Sequence, residues 1–274
     1  MRTLSAIASA LGFLLAPAVG AAPIFTTFEA AGANAAAITP TRDAFRVAIG
    51  GGTVAGADGS FGGLRREINW DGVPDARADP NLLPANFFNV NSPRGVVLST
   101  PGTGFLVSAN AGGATPVLFG FPNDLQTFSP QRLFTAVNSN ITDVTFFLPG
   151  TTTAATTTAF GLVFVDVEVA GQTKLDFYDE SNALIYSRDA LTAGNQGLTF
   201  LGATVSGGAI ARVRITSGMN TIVSNGVLGN AIDDVVVMDD FLYAEPSRSV
   251  PEPGTVALLA FSLAGLAASR RRKQ

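Results

Sequence analysis

From Val144 onward the chain is written in short runs that alternate apolar and polar residues, each closed by glycine, proline, asparagine or aspartate. That pattern constrains the fold more than any other feature, because a period of two places successive side chains on opposite faces of a strand. The runs are Val144 to Leu148, Phe160 to Val169, Lys174 to Tyr178, Ala183 to Tyr186, Leu198 to Val205, Ala209 to Thr216 and Asp234 to Tyr243. In the stretch AIARVRIT, Arg212 and Arg214 face one way and Val213 and Ile215 the other, as a half-buried strand requires. The breaks between runs fall at Pro149-Gly150, Gly171, Asp179 to Asn182, Gly207-Gly208 and Ser217-Gly218. The spacing predicts an all-β domain, an antiparallel β-sandwich or jelly roll.

The region before Thr115 is less regular. Ile24 to Glu29, Arg65 to Trp70, Phe87 to Asn89, Val96 to Ser99 and Phe105 to Ser108 read as strands. Ala30 to Pro40 reads as a loop or a short helix, and Asp71 to Pro84 as a long loop. Thr151 to Thr158 (TTTAATTT) is of low complexity and reads as an exposed loop. Residues 22–248 are expected to form one domain, with two packed β units as the alternative.

Two absences remove whole classes of chemistry. The 274 residues include no cysteine and no histidine. Disulfides, thiol nucleophiles, zinc clusters and histidine-based triads are therefore excluded. Phosphate loops, dinucleotide fingerprints and nucleophile elbows are missing as well.

The two ends differ from the middle. Arg2, an apolar stretch from Leu4 to Ala16 and the small residues Val19-Gly20-Ala21 follow the order of a secretory signal, with cleavage expected after Ala21. Near the other end, Pro251-Glu252-Pro253 precedes an apolar run, Gly254 to Ala268, and then Arg270, Arg271, Arg272 and Lys273. As a helix over 254–269 the run would be about 22–24 Å long at ~1.5 Å per residue. That is short for a hydrocarbon core of roughly 30 Å, a difference that snorkelling arginines and local thinning can absorb. The basic cluster should stay on the cytoplasmic side.

This ending, 249–274, resembles the PEP-CTERM sorting signal of Gram-negative bacteria in its Pro-Glu-Pro triplet, short membrane segment and arginine cluster. The resemblance implies processing by an exosortase, a transient hold on the inner membrane, and delivery to the cell surface or an extracellular polysaccharide matrix. Between the two ends stand 12 basic and 20 acidic residues, a net charge of −8. That balance argues against nucleic acid as a partner and suits divalent cations.

Three groups of residues are candidates for a site. RREINWDGVPD, Arg65 to Asp75, together with NFFNVNSPRGVVLSTPGTGF, is similar to a recurrent uncharacterised domain of exported bacterial proteins. Trp70 fits two roles: a stacking platform for a sugar with Asn69 and Asp71 binding its hydroxyls, or a core anchor with Arg66 paired to Glu67 or a nearby acid. The pairs Asp233-Asp234 and Asp239-Asp240 bracket a VVVM run, so one member of each should face inward, where a lone carboxylate is costly. Calcium held by Asp239, Asp240 and Glu29, with Asp166 as a further ligand, would relieve that cost. The body resembles jelly-roll carbohydrate-binding modules in outline, and such modules often hold a structural calcium near their terminal strands. The plain alternative is solvated acids, or pairing with Arg212 and Arg214.

The expected function is that of an exported, exosortase-sorted surface or matrix protein without enzymatic activity, associated with exopolysaccharide or biofilm. A calcium-stabilised carbohydrate-binding module is the alternative. A carboxylate-dependent glycosidase is the more distant one, since no acid pair is singled out by a motif.

Overall fold

The computed structural model describes residues 22–51, 56–109, 117–224, 227–229 and 233–248. The expected signal peptide, its cleavage residue Ala21 and the tail with Pro251, Glu252, Pro253, Arg270, Arg271 and Arg272 lie outside them. So does the expected membrane helix 254–269. Among the described residues no helix is long and apolar enough to cross a membrane.

In chain order the elements are β1 (Ile24–Gly32), α1 (Ala35–Ile49), β2 (Arg65–Ile68), α2 (Phe87–Val90), β3 (Val96–Ser99), β4 (Gly104–Val107), β5 (Phe134–Val137) and β6 (Ile141–Phe146). They continue with β7 (Ala159–Val165), β8 (Lys174–Tyr178), β9 (Leu184–Asp189), β10 (Leu198–Ser206), β11 (Arg212–Thr216), β12 (Ile222–Ser224), β13 (Val227–Leu228) and β14 (Val237–Ala244). One sheet has nine strands, with the path β1-β10-β7-β14-β5-β12-β13, β2 beside β14 and β4 beside β5. The other has five, in the order β3-β6-β11-β8-β9. The pairings are antiparallel except for β5 with β12. The fold is a β-sandwich.

Its core lies between the sheets. Phe160, Leu162 and Phe164 of β7 meet Val144 and Phe146 of β6, Val213 and Ile215 of β11, and Leu175 and Phe177 of β8. A second apolar layer covers the outer face of the large sheet. There Ile38, Phe45 and Ile49 of α1 pack on Val163, Val165, Leu198, Phe200 and Leu242. This explains two sequence patterns at once. β11, covered on one face, alternates as predicted. β7 and β14, covered on both, are buried at every position; β7 reads as a continuous apolar run, and β14 does so apart from Asp239 and Asp240.

Helix α1 departs from the expectation of a loop or short helix ending at Pro40. It continues through Pro40 to Ile49. The Asn34 side chain accepts the Ala37 amide at its start, and Gly50, at φ 80°, turns back to the Arg46 and Val47 carbonyls at its end. Proline removes one amide donor but does not outweigh an apolar stripe with two caps. The stripe runs Ile38, Arg42, Phe45, Ile49, so an arginine sits among residues that face the sheet.

Three other expectations are corrected. Phe87 to Asn89 lies in the short helix α2, because its two phenylalanines are adjacent in the core and a strand would separate them. Thr151 to Thr158 is exposed only in part. Ala155, Thr156 and Thr157 are buried; Thr156 bridges Ser247, and the Thr157 hydroxyl donates to the Ala244 carbonyl at 2.7 Å. Arg212 and Arg214 pair with Asp143, their neighbour across the sheet, rather than with the later aspartate pairs.

Phe45 marks where the helix presses on the sheet. It contacts Phe28 and Phe200 with ring centroids 5.4 and 5.5 Å away. Beneath it Gly161 and Gly202 face each other across β7 and β10. A Cβ on Gly161 would come within 2.8 Å of the Gly202 Cα, and one on Gly202 within 3.2 Å of the Phe45 ring. Phe45→Ala should lower stability by about 3–5 kcal/mol in urea unfolding, and the exposed Val47→Ala by under about 0.5 kcal/mol.

Candidate functional site

Asp239 and Asp240 occupy a break in the β14–β7 ladder. Met238 pairs with Phe164 and Phe241 with Leu162, so two residues stand opposite Val163 alone. This is a β-bulge. It changes the expectation for adjacent acids: both carboxylates reach one side of the strand and meet the same hydroxyl. Ser129 Oγ lies 2.7 Å from Asp240 Oδ1 and 3.2 Å from Asp239 Oδ1. Asp71 Oδ2 approaches it at 3.5 Å.

The roof over this group comes from three places. The Phe128 and Ser129 amides donate to Asp239 Oδ2 at 2.7 and 3.2 Å, and the Asp240 amide donates to Asp239 Oδ1. Asp71 Oδ1 accepts the Gln131 and Arg132 amides, fixing the same loop from the other side. Arg42 of α1 stands 3.7 Å from Asp240 Oδ2 and lies over the Phe128 ring. Neither Ser129 nor Arg42 was singled out by sequence. Arg42's place in an otherwise apolar helical stripe was the signal that could have found it.

One hydroxyl proton cannot serve three carboxylates. If Ser129 donates to its nearest neighbour, Asp240, then Asp239 and Asp71 face its lone pairs unless they carry protons. Burial pushes all three acids above the usual carboxylate range. For Asp239 the neighbouring Asp240 charge adds to it.

Trp70 sits beside the same bulge and is only 1% exposed. Its ring stacks on Phe134 at 4.0 Å, meets Phe88 and Phe241 edge-on, and its indole N–H donates to the Asp239 carbonyl at 3.1 Å. A sugar platform needs an exposed ring face, which Trp70 does not have. Asn69 donates to Asp71 Oδ2. The two arginines of this stretch divide their work. Arg66 makes a two-point pair with Glu245, whereas Arg65 pairs with Glu67, which Arg46 of α1 also grips.

Glu29 is placed apart from Asp239 and Asp240. It lies on β1, with β10 and β7 between it and β14, and Arg188 holds its carboxylate at 2.8 and 2.5 Å. Strands about 4.8 Å apart put it roughly 14 Å from β14, whereas calcium ligands stand about 2.3–2.6 Å from the ion. The set Glu29, Asp239 and Asp240 therefore does not converge on one ion.

Another set of acids does converge. One carboxylate oxygen from each of Asp166, Glu168 and Asp234 lies within 4.8 Å of the others. Asp166 follows β7 with a left-handed φ of 72°, and its Oδ1 accepts the Gln196 amide at 2.8 Å. Burial first, and then the charges of Glu168, Asp234 and Asp124, raise it to about 7. Asp234 Oδ2 accepts the Glu168 and Val169 amides. Two grooves also indent the surface. One, of about 530 Å³, is edged by Thr26, Thr158, Thr204, Ser206 and Ser247. The other, of about 250 Å³, runs past Asn69, Asn91, Ser92 and Arg94.

Residues 249–273, beyond the described body, match the PEP-CTERM protein-sorting motif. The chain carries a PEP-CTERM sorting signal. The PEP-CTERM motif implies an exported protein that is sorted through the membrane and processed by an exosortase, as the resemblance of the tail suggested. No curated protein matches the chain. Among solved structures, a Podospora anserina GH26-CBM35 β-(1,4)-mannanase is similar over 58% of this chain and 29% of its own, at 12% identity and a TM-score of 0.26. At that score the likeness carries no argument about the PEP-CTERM protein's body.

The raised carboxyl groups predict a pH dependence. The folded state holds protons that the unfolded chain releases near pH 3.9, so these groups cost stability as pH rises through and beyond that value. Asp240→Asn removes a charge while keeping an acceptor for Ser129. Urea midpoints between pH 4 and 8 should decline less steeply with rising pH in this variant than in the parent.

Proposed function

We propose that the chain is an exported surface or matrix protein that an exosortase processes, and that its β-sandwich body acts outside the cell without catalysis. The PEP-CTERM motif carries this reading. In it, residues 1–21 are a signal peptide cut after Ala21, and 254–269 form a transient inner-membrane helix. Pro251-Glu252-Pro253 stays extended at the membrane surface because two prolines in three residues do not fit a helix. Exopolysaccharide or a biofilm matrix is the destination and partner.

The state of the acids supports the non-catalytic part. Asp239 and Asp240 are buried beneath Ser129 and Arg42, and their oxygens serve protein donors rather than an open cleft. Glycosidases need two carboxyl groups about 5–9.5 Å apart flanking a sugar.

A second reading, carbohydrate binding, is favoured by the hydroxyl-edged groove of about 530 Å³. Thr26, Thr204 and Ser206 lie close together there, since β1 pairs with β10 in the register Thr26 with Thr204 and Ile24 with Ser206. Retention of the body on an exopolysaccharide column, weakened by Thr204→Val, is its expected sign.

Processing is tested by mass spectrometry of cell fractions. The parent should appear in the surface fraction beginning at Ala22 and lacking the basic tail. Replacing Pro251, Glu252 and Pro253 together by alanine should leave the tailed form in the membrane fraction. An unchanged processed mass in that triple variant would overturn the reading.

A further inference from the structure

We infer that Asp166, Glu168 and Asp234 form a calcium site that ties together three loops at one end of the large sheet. The three oxygens within 4.8 Å set the scale. Two ligands on opposite sides of an ion, each at about 2.4 Å, span that distance, so a common calcium fits among these oxygens.

A group of acids alone does not make a site; the state of Asp234 supplies the second observation. Its side chain is only 6% exposed. Oδ2 takes the amides of Glu168 and Val169, which aims the carboxylate at the segment that bears the other two acids. Oδ1 is buried with no hydrogen-bond partner among the described residues. A buried carboxylate oxygen without a donor is costly, and among the described residues no lysine or arginine forms a salt bridge with any of the three acids. A bound cation supplies the missing positive partner.

The surroundings fit a hard, oxygen-loving ion. Glu168 is exposed, so water can complete six to eight ligands on its side. Asp166 Oδ1 is oriented by the Gln196 amide, and the Asp166 amide donates to the Gly197 carbonyl. The ion would thus join the segment after β7, the turn before β10 and the residues just ahead of β14. The site differs from the Asp239–Asp240 group, whose oxygens are already supplied with donors. It does not depend on how the tail is processed.

The test is calorimetric titration of the full chain, purified in detergent and stripped with EGTA, with CaCl₂. Binding of one calcium is expected, with a rise in melting temperature of roughly 5–10 °C at a hundredfold excess over Kd. Glu168→Gln, on the exposed side, and Asp234→Asn should each weaken binding at least about tenfold, a loss near 1.4 kcal/mol. Both should keep the parent's far-ultraviolet circular dichroism. No heat and no shift in the parent would overturn the inference. So would calcium binding that survives undiminished in both variants, or an equal shift from MgCl₂ that persists in both, which would be charge screening.

Discussion

Strand β14 runs through the interior with two adjacent carboxylates on it, and much of the surrounding structure serves to make that tolerable. An inward carboxylate needs donors, a countercharge or a proton. The bulge turns both acids toward one place, and three separate pieces of chain meet there. The 128–132 loop brings two amides and a hydroxyl, α1 brings Arg42, and the turn after β2 brings Asp71, which ties the loop down by its backbone. Replacing a buried polar group of this kind by apolar residues often leaves stability unchanged or better. Its service here is registration. The two Asp239 oxygens take three backbone amides, two of them from the loop, and Asp240 faces Arg42 of α1, which sets loop and helix against the strand in one arrangement.

The same logic accounts for the RREINWD stretch. Its strand joins the edge of β14, and alternate residues act on different neighbours. Glu67, held by Arg65, accepts from Arg46 on α1, Arg66 reaches Glu245 beyond β14, and Trp70 props the bulge from beneath through its indole N–H. Its composition sets the stretch apart in the sequence. What it specialises in is holding the first helix and the last strand to each other.

Legibility followed the number of covered faces. β11 was plain in the sequence because one face is buried and the other half-exposed, and β8 keeps the same polar–apolar alternation at Lys174 to Tyr178 although its Asp176 is buried. β5 went unnoticed because all four of its residues are buried, in a short run whose one polar residue, Thr135, is buried with the rest. α1 was cut short at Pro40 because a local rule was applied where tertiary packing of Phe45 and Ile49 decides. At the site, aspartates were visible as pairs but not their partners. Glu29 was grouped with Asp239 as a candidate calcium ligand, and only the strand order, which no local pattern encodes, shows two strands between them.

The two acid clusters carry opposite solutions to one problem. Around Ser129 the backbone supplies three amides to Asp239, Arg42 stands beside Asp240, and burial favours the protonated forms of both acids. Around Asp234 the backbone supplies amides to one oxygen of each aspartate and leaves the other Asp234 oxygen bare in the interior. Glu168 keeps that group open to solvent. A chain without cysteine cannot staple its loops covalently, and a loop end rich in carboxylates is then the place where an ion adds most order. The positions of the acids in sequence do not distinguish these fates; the supply of backbone donors around each carboxylate does.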